Sequence, residues 1–215
     1  MAKKGHFIVV EGLEGAGKST ALTTIKRFLA EHDIELISTR EPGGTRVGEV
    51  ARTLIKEIVP DEPLDPRTEL LLFYAARVQL LEQIIHPALT RGCWVLADRF
   101  ELSTLAYQGG GRKLDQQVIA VLSAFCLNQF QPDLIIFLDV TPEKGLQRAR
   151  MRGKTDRIEQ ESLVFFEDVY NSYHEQMKSM NNVALIDASQ PLSVVQHLIR
   201  KTLKDYMMNH AITAP

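Results

Sequence analysis

The stretch Phe7-Ile8-Val9-Val10-Glu11-Gly12-Leu13-Glu14-Gly15-Ala16-Gly17-Lys18-Ser19-Thr20 decides the fold. Its first part, Phe7–Glu11, is an apolar run short enough to be a strand covered on both faces. Gly12 to Ser19 then fits G-x-x-x-x-G-K-[ST], and a helical pattern opens at Lys18. The glycines allow backbone N–H groups to close around phosphate oxygens, and the helix start adds partial positive charge. Lys18 can reach the β- and γ-phosphates, and the Ser19 hydroxyl can ligate Mg²⁺. The strand–loop–helix context separates this stretch from a chance glycine-containing string. It predicts binding of a nucleoside triphosphate and says nothing about where the phosphate goes.

Outward from the loop, short apolar runs alternate with longer helical patterns. Strands are expected at Phe7–Glu11, Ile34–Thr39, Trp94–Ala97, Asp133–Asp139 and Val183–Asp187. Helices are expected at Lys18–Glu31, Val47–Ile58, Pro66–Arg91, Lys113–Gln129, Pro142–Arg152, Glu159–Ser179 and Pro191–Met208. Asp65-Pro66, Thr141-Pro142 and Gln190-Pro191 place proline where a first helical turn tolerates it. The alternation predicts an α/β fold, a five-stranded parallel sheet with helices on both faces. No repeat, low-complexity run or linker interrupts it, so residues 1–215 read as a single domain.

Composition narrows the function. The chain has 215 residues, is 45% hydrophobic and 24% charged, and carries a formal charge of −2. That balance lacks the basic excess of a nucleic-acid binder, so no nucleic-acid partner is expected. Cys93 and Cys126 lie in apolar runs without zinc or redox spacing and read as small buried hydrophobes of a reducing compartment. No secretory leader or membrane-spanning run is found. The expectation is a cytoplasmic protein with no membrane partner.

A GTPase-type switch would need a guanine-reading N-K-x-D, and no asparagine here is followed by lysine. A small-molecule kinase needs a cationic lid, anion clamps and an acceptor pocket. For the lid, Arg148-Ala149-Arg150-Met151-Arg152-Gly153-Lys154-Thr155-Asp156-Arg157 carries five cations in ten positions. The competing view is a solvated basic helix end. The phosphate loop itself holds no arginine, so transition-state charge must be met from elsewhere. Asp98-Arg99 follows a buried strand, at the carboxyl end where open α/β sheets bind ligands. There Asp98 can orient water on Mg²⁺ and Arg99 can hold a phosphate bidentately, unless the two form a structural ion pair. Phe73 and Arg77, four apart on one helix face, suit a planar base with a carbonyl oxygen, although an aromatic at helical spacing is more often core.

Taken together, Glu11 to Ser19, Thr39-Arg40-Glu41-Pro42-Gly43-Gly44-Thr45, Phe73 to Arg77, Asp98-Arg99 with Ser103 to Gln108, and Asp187 to Pro191 resemble bacterial thymidylate kinases in order and spacing. The likeness runs from about residue 5 to 205. The basic lid and arginine-free loop make it similar to the enterobacterial variety. The resemblance implies a nucleoside monophosphate kinase fold with a mobile lid over about 148–158. It implies transfer of the γ-phosphate of ATP to dTMP with Mg²⁺, ligated through Ser19. ATP is expected along Gly12, Leu13, Glu14, Gly15, Ala16, Gly17, Lys18, Ser19 and Thr20, with Arg148 and the Gln190 turn completing its site. For dTMP it implies Phe73 stacked on thymine, Arg77 on a ring carbonyl, Thr104 and Gln108 at the base edge, and Tyr107 against the sugar. Glu14 would face the 3′-hydroxyl, and Arg52 and Arg99 would grip the phosphate. Lys18, Asp98, Arg99, Arg152 and, as a second lid cation, Arg157 are the expected catalytic residues. The resemblance also implies a cis Glu41–Pro42 bond and a homodimer whose contact includes the helix over Pro66–Arg91. Phe100 departs from the family, which usually has a polar atom there, and Ser19 replaces the commoner Thr.

Overall fold

The computed structural model describes residues 4–151, 153 and 156–212. Five parallel strands form one sheet in the order β2-β3-β1-β4-β5. They are β1 Phe7–Glu11, β2 Leu36–Arg40, β3 Trp94–Asp98, β4 Leu134–Asp139 and β5 Val183–Asp187. β1 takes the centre, and every one of its residues is buried. Its side chains alternate as a pleat requires. Phe7 and Val9 enter one core with Val95, Phe137 and Phe166, while Ile8 and Val10 enter a second with Ile25, Phe28 and Leu203. A central strand apolar on both faces must be covered on both, which is the arrangement the sequence predicts.

Helices α1 (Lys18–Ala30) and α9 (Leu192–Asn209) cover the second core. The first is covered by the end of α3 (Pro66–Leu80), by α4 (His86–Thr90) and by α8 (Leu163–Met177). α2 (Arg46–Lys56), α5 (Glu101–Thr104), α6 (Gln116–Leu127) and α7 (Pro142–Arg150) complete the set among the described residues.

The departures from expectation have local causes. β2 begins at Leu36 rather than Ile34, because the Ile34 N–H donates to the Leu29 carbonyl at 3.1 Å and closes the end of α1. The helix expected over Pro66–Arg91 is continuous but contains a π-helical turn, Leu81–Ile85, ahead of Pro87. Proline supplies no N–H and its ring crowds the carbonyl four residues back, and a wider turn relieves both. α6 starts at Gln116 because Asp115 caps it, accepting from the Gln117 N–H at 2.7 Å. α8 starts at Leu163, capped by Ser162.

One element had no expected boundaries: α5 and the π-helical segment Leu105–Gly111 that continues it. Its cap is not local. The Glu11 carboxylate, at the end of β1, accepts from the backbone N–H groups of Phe100 at 2.8 Å and Ser103 at 3.3 Å. Glu11 is fully buried, and burial pushes its carboxyl above the usual range against the pull of Arg99. Strand register sets the rest: Val10 pairs with Asp98, and Asp98 in turn with Arg40. The carboxyl ends of β1, β2 and β3 thus deliver the loop, Asp98 and Glu41 to one edge, where the strand order reverses about β1.

Candidate active site

The β1–α1 loop has the conformation its glycines allow. Gly15 has φ +72° and Gly17, capping α1, has φ +95°. A Cβ on Gly15 would sit 2.0 Å from the carbonyl oxygen of Gly145, so α7 packs against bare backbone there. Lys18 lies in the cavity, its Nζ donating to the carbonyls of Gly12 at 2.9 Å and Leu13 at 2.8 Å. Burial and the nearby Arg99 charge push the Lys18 ammonium down to about 8, against the opposing pull of Glu14. Of the expected ATP residues, Glu14, Gly15, Gly17, Lys18, Ser19, Thr20 and Arg148 line the cavity. Leu13 and Ala16 instead face the two cores and serve the loop by packing. Arg148 donates to the Ala188 carbonyl at 2.9 Å, which ties the loop side to the turn after β5. Gln190 is exposed, donates to Asp187 at 2.7 Å, and lies off the cavity wall.

The same cavity, about 410 Å³, continues to an opposite wall of side chains. Phe73 is half-buried on that wall and belongs to none of the buried cores, so the view of it as core packing is not what the fold adopts. Arg77 is 1% exposed and held on several sides. Its Nε donates to Glu41 at 2.7 Å, Nη1 to Glu101, and Nη2 to the Thr104 hydroxyl at 2.9 Å. Thr104 is thus bonded to Arg77, directly behind the residues that line the cavity. Burial pushes the Glu41 carboxyl up to about 7 against the pull of Arg77, and its Oε1 has no partner. The Glu41–Pro42 bond is cis, as expected.

Between the two walls stands Arg99, at φ +71°. Its Nη2 donates to Glu14 at 2.6 Å and to the Tyr107 hydroxyl at 3.2 Å, and its guanidinium lies 4.9 Å from the Tyr107 ring centre. The Tyr107 hydroxyl also donates to Glu14. Although burial alone would raise the Glu14 carboxyl, Arg99 and Lys18 hold it below the usual range. Asp98 lines the cavity beside Arg99, and its Oδ1 is buried without a partner. The two do not form the structural ion pair weighed above, since Arg99 is committed to Glu14. Arg52 lines the cavity and donates to the Pro42 carbonyl at 3.0 Å.

Arg157, the expected second lid cation, has its Nε bonded to the Ile55 carbonyl at 2.8 Å and its Nη2 to the buried Glu69, and it does not line the cavity. A guanidinium already committed to a buried carboxylate is an anchor for the segment before α8. Arg152 lies outside the described residues. The residues that sequence reasoning left without roles are mainly carboxylates: Glu11, Glu41, Glu69 and Glu101, together with Tyr173, whose hydroxyl donates to Glu11 at 3.0 Å. The one signal for them was the arginines, since a buried guanidinium needs a carboxylate. No spacing rule connects partners 24 to 88 positions apart.

A parallel sheet with a phosphate loop after its central strand, facing an aromatic and guanidinium wall across one cavity, defines a P-loop nucleoside monophosphate kinase. A family model for thymidylate kinase matches residues 10–199. Thymidylate kinases from Legionella pneumophila strains Corby and Paris are 55% and 54% identical over 203 residues, 94% of this chain and 96% of each relative. The chain belongs to the thymidylate kinase family. It transfers the γ-phosphate of ATP to dTMP, giving dTDP.

Proposed function

We propose that the transfer is an in-line displacement, assisted by Mg²⁺, in which the residues of the cavity act by position and charge. The observation that carries this reading is the unpartnered Oδ1 of Asp98 beside the loop that presents Ser19. Among the described residues no group of three or more His, Cys, Asp or Glu is placed to hold a metal. Mg²⁺ keeps several waters and binds mostly through substrate phosphates, so one hydroxyl and one carboxylate suffice. The bound ion would draw charge from the β- and γ-phosphate oxygens. Ser19 would hold it, and Asp98 would accept hydrogen bonds from its waters.

The acceptor oxygen is already an anion, so no strong general base is required. Arg99 and Arg52 grip the acceptor phosphate, Phe73 stacks on thymine, Arg77 and Gln108 read its polar edge, and Glu14 with Tyr107 faces the sugar. Lys18, Arg99 and Arg152 share the charge that develops on the transferred group, while the segment around Gly153 closes as a lid. The test is a Mg²⁺ titration of the Asp98→Asn variant. The concentration for half-maximal velocity should rise about tenfold or more, since a charged hydrogen bond is worth roughly 1.5–3 kcal/mol. An unchanged requirement would remove Asp98 from the metal site.

We also propose a homodimer in the cytoplasm. Supporting the dimer, Leu71 on α3 and Val118, Val121 and Phe125 on α6 are exposed apolar side chains, Phe125 at 85%. The two helices adjoin through Leu70, Tyr74 and Ile119. Light scattering should give twice the chain mass, and a monomeric mass at micromolar concentration would refute it. For the location, no described helix is long and apolar enough to cross a membrane.

A further inference from the structure

Glu69 sits in the first turn of α3 and is 1% exposed, yet it does not line the cavity and has no part in the chemistry above. Its carboxylate is surrounded by donors. Oε1 accepts from the Gln108 amide nitrogen at 2.7 Å and from Arg112 Nε at 3.3 Å. Oε2 accepts from Arg112 Nη2 at 3.3 Å and from Arg157 Nη2. Each guanidinium is anchored a second time, Arg112 by Glu161 and Arg157 by the Ile55 carbonyl. The carboxylate can therefore neither rotate nor recede without breaking its bonds to two half-buried cations.

Gln108, also 1% exposed, lies in the π-helical segment and on the cavity wall with Phe73 and Arg77. Among the described residues its amide makes no hydrogen bond besides the one to Glu69, and since Gln108 lines the cavity its oxygen is left to that side. A carboxylate between two guanidiniums accepts and does not donate. Flipping the amide would set oxygen against oxygen at the present 2.7 Å separation. A free glutamine can turn either its oxygen or its nitrogen to a base, and with the nitrogen held on Glu69 this one is fixed with its oxygen free to accept.

We propose that Glu69 is a positioning residue that sets the pyrimidine preference of the pocket by locking the Gln108 amide with its oxygen toward the base. This rests on the reading of Gln108 as a base-edge residue. Thymine and uracil carry a hydrogen at N3 and match an acceptor. Cytosine has a lone pair at N3, and the lock leaves it facing another lone pair.

The experiment compares kcat/KM for dTMP and for 5-methyl-dCMP, which differ only at N3 and the 4-position. In Glu69→Gln the amide is free to turn, and the ratio of the two efficiencies should fall about tenfold, the value of one opposed polar contact. If the ring carbonyl that Arg77 reads is the one at the 4-position, that preference is kept and the ratio stays above one. If Glu69→Gln does not fold, Glu69→Gln combined with Arg157→Gln removes one uncompensated cation and tests the same loss. Arg157→Gln alone keeps Glu69 on the amide and should leave the ratio unchanged. Equal losses on both substrates in the Glu69 variants, or a lowered ratio in Arg157→Gln alone, would overturn the lock. Gln108→Met separates the layers. If it leaves the ratio unchanged, Gln108 is no base-edge residue and the proposal falls with that reading. If it lowers the ratio while the Glu69 variants do not, only the lock fails.

Discussion

The loop after β1 presents backbone to its ligand, whereas the facing wall of the same cavity presents side chains drawn from α3, β3 and the segment after it. On the donor side one contiguous run suffices, because N–H groups and a helix terminus do not depend on residue type beyond the glycines and Lys18. On the acceptor side each of these side chains is bonded to another residue from elsewhere in the chain: Arg77 to Glu41, Glu101 and Thr104, Arg99 to Glu14, Gln108 to Glu69. Backbone recognition does not discriminate among triphosphates, and on the proposed reading it is the network of fixed side chains that distinguishes one monophosphate from another. Losses on the donor side should then be large and blind to the acceptor. Losses on the acceptor side should be smaller and selective.

Lys18→Ala tests the first half of that contrast and carries the largest effect. Turnover should fall at least about 10²-fold, the scale of losing one preorganised charge stabiliser. The loss should be the same with dTMP or dUMP as acceptor. Because Lys18 lies in the cavity and not in either core, the thermal midpoint should stay within a few degrees of the parent. An ADP-release assay with both acceptors decides the matter. A loss that differs between acceptors would break the division between the walls.

Tyr107 tests the second half. Its hydroxyl is held between Glu14 and Arg99, and its ring packs among Arg99, Phe165 and Tyr173. A ring fixed in this way leaves a ribose 2′-hydroxyl without room or partner, a cost of about 1–3 kcal/mol. Tyr107→Ala should raise kcat/KM for the ribonucleotide relative to dTMP roughly tenfold or more. Tyr107→Phe keeps the ring and should keep the preference for deoxyribose. If Tyr107→Ala lowers both substrates by one factor, the ring is packing and sugar selection lies elsewhere.

The same contrast explains what could be read before the fold was known. The loop, the parallel sheet and the seven long helices follow from local patterns: glycine spacing, apolar runs, proline and capping residues. Phe73, Arg77, Asp98, Arg99, Tyr107 and Gln108 could be named because they sit in motifs, and all six line the cavity. Illegible were the roles that depend on distant partners. The resemblance implies Thr104 at the base edge, and nothing local announced that its hydroxyl would also accept from Arg77. Arg157 ends a basic run and is expected as a second lid cation, and nothing in that run announced its bond to the buried Glu69. The start of α5 had no local cap because Glu11, 89 positions earlier, supplies one.

The smallest effect is measured in protons. With the loop as described, the Lys18 ammonium has its ordinary range lowered to about 8, first by burial and then by Arg99. It donates meanwhile to two carbonyls, which compensate only part of its charge. Bringing triphosphate oxygens beside it favours the charged form, so its pKa rises on binding. The sign follows: the ATP complex binds more protons than the free protein, so affinity is greatest below about pH 8 and declines as the pH rises through that value. Titration calorimetry at pH 8 in buffers of different ionisation enthalpy should show uptake of about half a proton per ATP, since a group at its pKa is half protonated. The terminal phosphate, with a second pKa of about 6, is already ionised there and contributes little. On the facing wall, Arg52 and Arg99 keep their protons at any such pH. Titrating dTMP in the same buffers should therefore give a smaller number. No uptake with ATP would mean that Lys18 is fully charged in the free loop, and that the loop lysine is as fixed in its charge as the arginines it faces.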